Sequence, residues 1–104
     1  SPDCTPCFQY RRMLASALLG GVIFTDSDGA SCQLSFHPNE DKIMVKKSAS
    51  SVTYEVVELK KCEQNSAQEW VVTFEVKEVN GFKTPEKHLI AKVSGQQGVL
   101  TTAQ

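Results

Sequence analysis

Four cysteines, Cys4, Cys7, Cys32 and Cys62, are the residues of this 104-residue chain whose type and spacing could do chemistry. An even number of cysteines in a short chain is typical of a disulfide framework. A bridge that closes a loop as long as Cys4 to Cys62 constrains the unfolded chain, and it contributes on the order of 4 kcal/mol. The sequence therefore predicts two disulfides and an oxidising, extracellular compartment.

A zinc site and a redox pair are the other uses that cysteines of this spacing could have. Zinc bound by four thiolates is usually held by two Cys-x-x-Cys knuckles, whereas here Cys4 and Cys7 form a single one. A redox Cys-x-x-Cys usually follows a strand of a βαβ unit, and this pair stands at the start of the chain. Among disulfide pairings we favour those that join Cys4 and Cys7 separately to Cys32 and Cys62, because the helix must be tied to the sheet.

Other catalytic chemistry finds little support in the sequence. His37 and His88 are the side chains that titrate near neutral pH when unperturbed, so an acid–base enzyme would need one of them. Their positions, in a turn before Pro38 and on an outward row beside Leu89, predict solvated histidines. Because glycine-rich phosphate loops and nucleotide fingerprints are also missing from the sequence, we expect no enzyme activity, no catalytic residue, no bound metal and no cofactor.

Charge and hydropathy argue against two classes of partner. The net charge is −1 and the isoelectric point is close to 6.1, so the chain lacks the basic excess that attracts nucleic acid. The longest apolar stretch, 14–24, is too short and too broken by glycine to cross a bilayer. Length and an apolar fraction of 40% indicate one domain over 1–104. Since no secretory leader is visible, we expect a mature form.

One helix is predicted near the N-terminus. Thr5 can cap it, Pro6 suits its first position, and Gly20-Gly21 ends it, so we expect it to run from about Pro6 to Leu19. A stripe of residues at helical spacing is expected to pack on a sheet, and it consists of Cys7, Tyr10, Leu14, Ala17 and Leu18.

After the helix, the apolar residues recur with a period of two, which predicts about seven short strands. The clearest strand has an inward row made of Trp70, Val72, Phe74 and Val76. Asn80-Gly81 predicts a tight hairpin turn, and Pro85 predicts an edge or a bulge. The sequence therefore favours an α+β, mainly β fold, with the N-terminal helix packed on a curled antiparallel sheet or a partly closed barrel.

The segment His88-Leu89-Ile90-Ala91, followed by Gly98-Val99-Leu100-Thr101-Thr102, resembles a hairpin in the netrin-like domain of the tissue inhibitors of metalloproteases. The resemblance covers about fifteen residues. With an N-terminal cysteine pair that leads into a short helix, the chain is similar to small netrin-like proteins secreted by hookworms and related nematodes. The resemblance implies an OB-type, netrin-like β-barrel with the N-terminal segment strapped onto it, and a secreted module that acts on host proteins.

The N-terminus departs from the pattern of those inhibitors. They begin with Cys-x-Cys, whose first amine and carbonyl bind the protease zinc, whereas here Cys4 and Cys7 come after Ser1 and enclose Thr5-Pro6. If Ser1 is the true start, no cysteine amine is free to chelate zinc. Protease inhibition, either of metalloproteases or in the manner of cystatins, is therefore a second hypothesis, and a small hydrophobic ligand carrier is a third.

The first hypothesis is a secreted, non-enzymatic protein-interaction module that binds an extracellular protein, without nucleic-acid partners or membrane insertion. Loops on a rigid barrel are where recognition usually lies, and lysines at loops and strand ends can steer an acidic partner. The candidate binding residues are Thr5, Pro6, Lys46, Lys47, Ser48, Lys60 and Lys61.

Overall fold

The computed structural model describes the backbone of residues 5–103 and the side chains of residues 9–103. One helix, α1 (Thr5–Leu19), precedes seven strands. The strands are β1 (Ile23–Thr25), β2 (Ser31–His37), β3 (Lys42–Lys46), β4 (Val52–Gln64), β5 (Trp70–Val79), β6 (Phe82–Ser94) and β7 (Gln97–Ala103). Strands that follow one another pair antiparallel. The parallel pair of β1 with β7 closes the barrel.

The mainly β fold with one short helix is confirmed, and the barrel is closed rather than partly closed. Its strands follow one another around the barrel in chain order. That is the order of an up-and-down barrel, not the Greek-key order of an OB-fold. Each described strand has a hydrogen-bonded neighbour on both sides, and barrel closure of this kind reduces the exposed edge of a sheet.

The inward rows fill the middle of the barrel with large apolar side chains. Trp70 is half-buried, and the row that follows it along β5 is enclosed, which confirms the predicted inward face of this strand. The rings of Phe36 and Phe74 pack with centroids 5.0 Å apart. Side chains with less than 2% exposure include Phe24, Leu34, Ile43, Val72 and Phe74. The interior is therefore a packed core rather than an open channel.

The barrel has two different ends. At one end, called the mouth here, three turns come together, namely 26–30 between β1 and β2, 47–51 between β3 and β4, and 80–81 between β5 and β6. Helix α1 contacts β2 and β4 at the opposite end. There the Ser16 hydroxyl donates to the Phe36 carbonyl at 3.1 Å, and Arg12 forms an ion pair with Asp41 in the β2–β3 turn. The helix therefore covers the end of the barrel away from the mouth.

The helix begins and ends close to the predicted limits, but its buried face was predicted wrongly in part. Ala15 and Leu19 are fully enclosed and Leu18 packs against the core, whereas Tyr10 and Ala17 are exposed. Ala15 and Leu19 are one helical turn apart, so the observed contact face is rotated from the predicted stripe toward Ala15. The side chain of Cys7 lies outside the described residues.

Two local signals in β5 and β6 are confirmed. Asn80 and Gly81 both have positive φ, 50° and 85°, as the tight primed turn requires. The register between β5 and β6 shifts between Val76 and Glu78, opposite the segment that contains Pro85. The proline therefore lies at a bulge, where its missing N–H breaks no ladder bond.

The predicted pair of disulfides is not supported. Neither Cys32, on β2 near the mouth, nor Cys62, on β4 near the helix end, forms a disulfide with another described residue. They cannot bond to each other, because they lie toward opposite ends of the barrel. Cys4 and the side chain of Cys7, their predicted partners, fall outside the described residues.

Candidate binding site at the barrel mouth

Glu55 is the charged side chain that the described barrel buries, with 5% of its surface exposed. The alternation along β4 explains this position, because Val57 and Leu59 point inward and Glu55 precedes them on the same row. The residue stands near the mouth, where it pairs with Val79 of β5, next to the 80–81 turn. A buried carboxylate is costly unless it is fully hydrogen-bonded or paired, so its partners matter.

Those partners satisfy the carboxylate of Glu55 only in part. The Thr53 hydroxyl donates to Oε2 at 3.3 Å. Lys87 Nζ lies 3.8 Å from Oε1, which is within ion-pair range but too far for a hydrogen bond. Oε1 is buried and receives no hydrogen bond from the described residues. This oxygen of Glu55 is therefore left without a hydrogen-bond donor.

A cavity of about 330 Å³ opens at the mouth, and Glu55 lines it. This volume lies at the lower end of the range of small-molecule sites, roughly 300–1,000 Å³. The apolar part of its wall is formed by Val45, Val79, Leu89 and Leu100. Its polar part is formed by Asp26, Ser27, Asp28, Lys47, Thr53, Lys87 and Thr102. The cavity thus combines an apolar wall with a few polar groups, as ligand sites usually do.

Asp26 organises the rim of the cavity. Its Oδ1 accepts the N–H groups of Asp28 and Ala30 at 2.9 and 3.0 Å, which fixes the β1–β2 turn. Lys47 Nζ lies 3.2 Å from Oδ2. The N–H of Ala30, followed by Lys47, lowers the pKa of Asp26, and Asp26 in turn raises the pKa of Lys47. Lys47 is therefore held at the rim by Asp26.

The predicted binding residues do not form one surface. Lys46, Lys47 and Ser48 lie at the β3–β4 turn beside the mouth, and Lys47 lines the cavity. Lys60 is eight residues along β4 from Val52, the partner of Lys46, or roughly 26 Å at the rise of a strand. Thr5 and Pro6 belong to the start of α1, and their side chains lie outside the described residues.

Lys60 belongs to a charge cluster on the outer face of the barrel. Its Nζ lies 3.2 Å from Glu58 and 3.2 Å from Glu75, and Lys77 contacts the same two carboxylates. Glu58 and then Glu75 raise the pKa of Lys60. Lys61 is exposed beside it. Because two carboxylates already neutralise Lys60, it is less available to a partner than the sequence suggested.

The remaining polar candidates, Ser48, His37 and His88, do not line the mouth cavity. Ser48 accepts the N–H of Ser51 at 3.1 Å and so stabilises its own turn. His37 is exposed, and His88 is half-buried opposite Glu75. No three histidine, cysteine or carboxylate side chains in residues 9–103 converge to hold a metal ion.

No helix in the described part of the chain is long and apolar enough to cross a membrane.

Sequence reasoning missed Glu55, Thr53 and Lys87. A signal for Glu55 was present, because it continues the period-two row of Val57 and Leu59 toward the start of β4. Lys87 gave no comparable signal, since the bulge near Pro85 changes the register that brings it to the mouth.

The two segments of the netrin-like resemblance pair with each other as the β6–β7 hairpin, with Leu89 opposite Thr102 and Ala91 opposite Leu100. Pairing of this kind is common to many β-barrels and does not by itself identify a netrin-like domain. The chain matches no protein-family model, and no curated protein or solved structure shows significant similarity to it.

Proposed function

We propose that this chain is a non-enzymatic binding protein that holds a small ligand at the mouth of its barrel. The observation that carries the proposal is Oε1 of Glu55, a buried acceptor on the cavity wall that no described residue satisfies. Leaving such a group unpaired costs about 1–3 kcal/mol, and more when it is charged. A ligand that donates a hydrogen bond to this atom would remove that cost.

The shape of the interior limits the size of the ligand. Phe24, Phe74 and their neighbours fill the middle of the barrel, so the cavity beside Glu55 does not continue along the barrel axis. A long hydrophobic ligand threaded through the barrel is thus disfavoured. The third sequence hypothesis, a carrier of small hydrophobic molecules, survives in a narrower form, in which the ligand has an apolar body and one polar group.

The test is a fragment screen by ligand-observed NMR against the natural chain and two tryptophan variants. Thr102→Trp adds a large side chain at the mouth, where Thr102 lines the cavity, and it should abolish binding. Thr101→Trp is the matched control, because Thr101 is the exposed neighbour whose side chain belongs to the opposite row of β7. Equal binding of the fragments to all three proteins would refute the mouth site. The absence of any fragment that binds the natural chain would also refute it.

Protein recognition is a second candidate, and one surface feature favours it. Tyr10 and Met13 are 68% and 65% exposed, and they lie one helical turn apart on α1. Tyrosine and methionine are enriched in protein interfaces. This pair stands on the same helix as Thr5 and Pro6, and together they would present an N-terminal surface to an extracellular protein.

A binding screen against secreted and cell-surface proteins, repeated with a Tyr10→Ser/Met13→Ser variant, tests that candidate. A partner that binds the natural chain but not the variant supports the protein-recognition candidate.

Inhibition assays against metalloproteases and cysteine proteases test the inhibitor hypothesis. Flat dose–response curves would refute it.

We also propose one cross-link between the N-terminal pair and the barrel, with Cys62 as the barrel cysteine. Cys62 is half-buried at the helix end, close enough to Arg11 for the guanidinium to act on its pKa, which burial raises. The backbone of Cys7 lies one turn before Arg11 on the same helix. Cys32, near the mouth, is far from this turn. A peptide map of the unreduced protein tests the assignment, which a Cys32 cross-link would overturn.

A further inference from the structure

The charges around the mouth cavity favour a positively charged ligand. Three carboxylates and two lysines line the cavity, so its formal balance is negative. Asp26 neutralises Lys47 at the rim. Glu55 has no partner as close, because Lys87 Nζ lies 3.8 Å from Oε1 and does not come within hydrogen-bond distance of it.

We propose that the ligand is a small primary amine with an apolar or aromatic body. This proposal rests on the proposed function of the mouth. Its ammonium group donates to Oε1 of Glu55, and its apolar part lies against Leu89 and Leu100. A hydrogen bond between an ammonium and a carboxylate is shorter and roughly twice as strong as a neutral one. It would satisfy the buried acceptor and compensate the buried charge in a single contact.

The amine of Lys87 is positioned so that a ligand ammonium can displace it from Glu55. Its side chain is 29% exposed and its contact with Glu55 is long. A lysine can keep its stem on the protein while its amine moves into water. The ligand ammonium therefore replaces Lys87 as the partner of Glu55, whereas an anionic ligand would have to lie beside the buried carboxylate and be repelled by it.

A matched series of compounds separates these chemistries, namely hexylamine, hexanol and hexanoate, each titrated by calorimetry or NMR. Hexylamine is expected to bind the natural chain about tenfold more tightly than hexanol, and hexanoate is expected not to bind. Glu55→Gln should remove the advantage of the amine and leave hexanol binding nearly unchanged. Glu58→Gln is the matched control, because Glu58 is an exposed carboxylate on the same strand.

Lys87→Met supplies an independent measurement should Glu55→Gln fold poorly. Removing the competing amine should tighten hexylamine binding several-fold, whereas weaker binding would refute the replacement of Lys87. Equal binding of hexanol and hexylamine, or preferred binding of hexanoate, would overturn the amine class and leave the mouth site standing. Absence of binding by all three compounds overturns the amine class, and the fragment screen then decides whether the mouth site itself fails.

Discussion

The ring of Phe24 lies directly against Gly98, where β1 and β7 pair in parallel. A Cβ atom on Gly98 would overlap Cε1 of that ring and would stand 3.1 Å from the Lys92 carbonyl oxygen. Only glycine leaves the ring enough space at this position. Because β1 contributes three residues to the pairing that closes the barrel, the fit between these two residues is central to closure.

Gly98→Ala should therefore lower the free energy of unfolding by about 1–3 kcal/mol, the usual cost of overpacking a core. Urea denaturation measures the change. Gly20→Ala is the control, since the nearest atom to an added Cβ there is 3.4 Å away, an ordinary contact. A smaller ring in the double variant Phe24→Leu/Gly98→Ala should recover part of the loss. An unchanged free energy of unfolding for Gly98→Ala would show that the β1–β7 pairing tolerates a larger residue at this position.

Docking of the helix should depend on Leu19. Leu19 is the last residue of α1 and its side chain is fully buried, so Leu19→Ala should destabilise the protein by about 2–5 kcal/mol. Met13 lies on the same helix but is 65% exposed, and Met13→Ala should change stability by less than about 0.5 kcal/mol. Thermal unfolding of the two variants makes the comparison, and similar losses would contradict the assigned buried face.

Stability should fall in acid partly through Asp26. Hydrogen bonds from Ala30 and the contact with Lys47 lower the pKa of Asp26 below its ordinary value of 3.8. A carboxylate whose pKa is lowered by folding stabilises the fold above its unfolded pKa, and it loses that contribution as pH falls through the lower, folded value. Asp26→Asn should therefore be less stable than the natural chain at neutral pH, and the difference should shrink below about pH 4.

Unfolding midpoints measured from pH 7 to pH 2 test this dependence. Asp28→Asn is the control, because Asp28 takes part in the turn through its backbone N–H. A difference between Asp26→Asn and the natural chain that stays constant with pH would argue against a role for the charge.

Cys32 should be an unreactive thiol in the folded protein. It is 3% exposed, and burial raises its pKa, so little thiolate is present at neutral pH. Labelling with iodoacetamide, followed by mass spectrometry, should modify Cys32 much more slowly in the native protein than in urea. Rapid labelling in native conditions would indicate that the β2 end of the barrel opens.

The sequence predicted the elements better than their arrangement. The helix limits, the inward row from Trp70 to Val76, the Asn80-Gly81 turn and the bulge at Pro85 all follow from local rules, and the structure has them. Closure of the barrel was not predictable in the same way. It depends on contacts between the first and last strands, such as Phe24 with Gly98, which no local pattern records.

The residues of the candidate site were also hard to predict from local sequence patterns. Lys47 was selected as a loop lysine and lines the mouth cavity, but Lys60 was selected for the same reason and lies in an ion cluster on the outer face. Glu55 was overlooked because a charged residue in a strand is usually assigned to the solvent side. Only the closed barrel, which places β4 between β3 and β5, reveals that it is enclosed.

Because the middle of the barrel is packed and α1 lies over its far end, the described structure is a cup and not a conduit. A ligand held at the mouth, as proposed above, would have to depart by the route along which it arrived, and its transfer would require release into the surroundings or direct hand-over at the rim. The turns 26–30 and 47–51 at that rim would then set the pace of exchange, while substitutions in α1 would alter how firmly the cup holds together without changing what it admits.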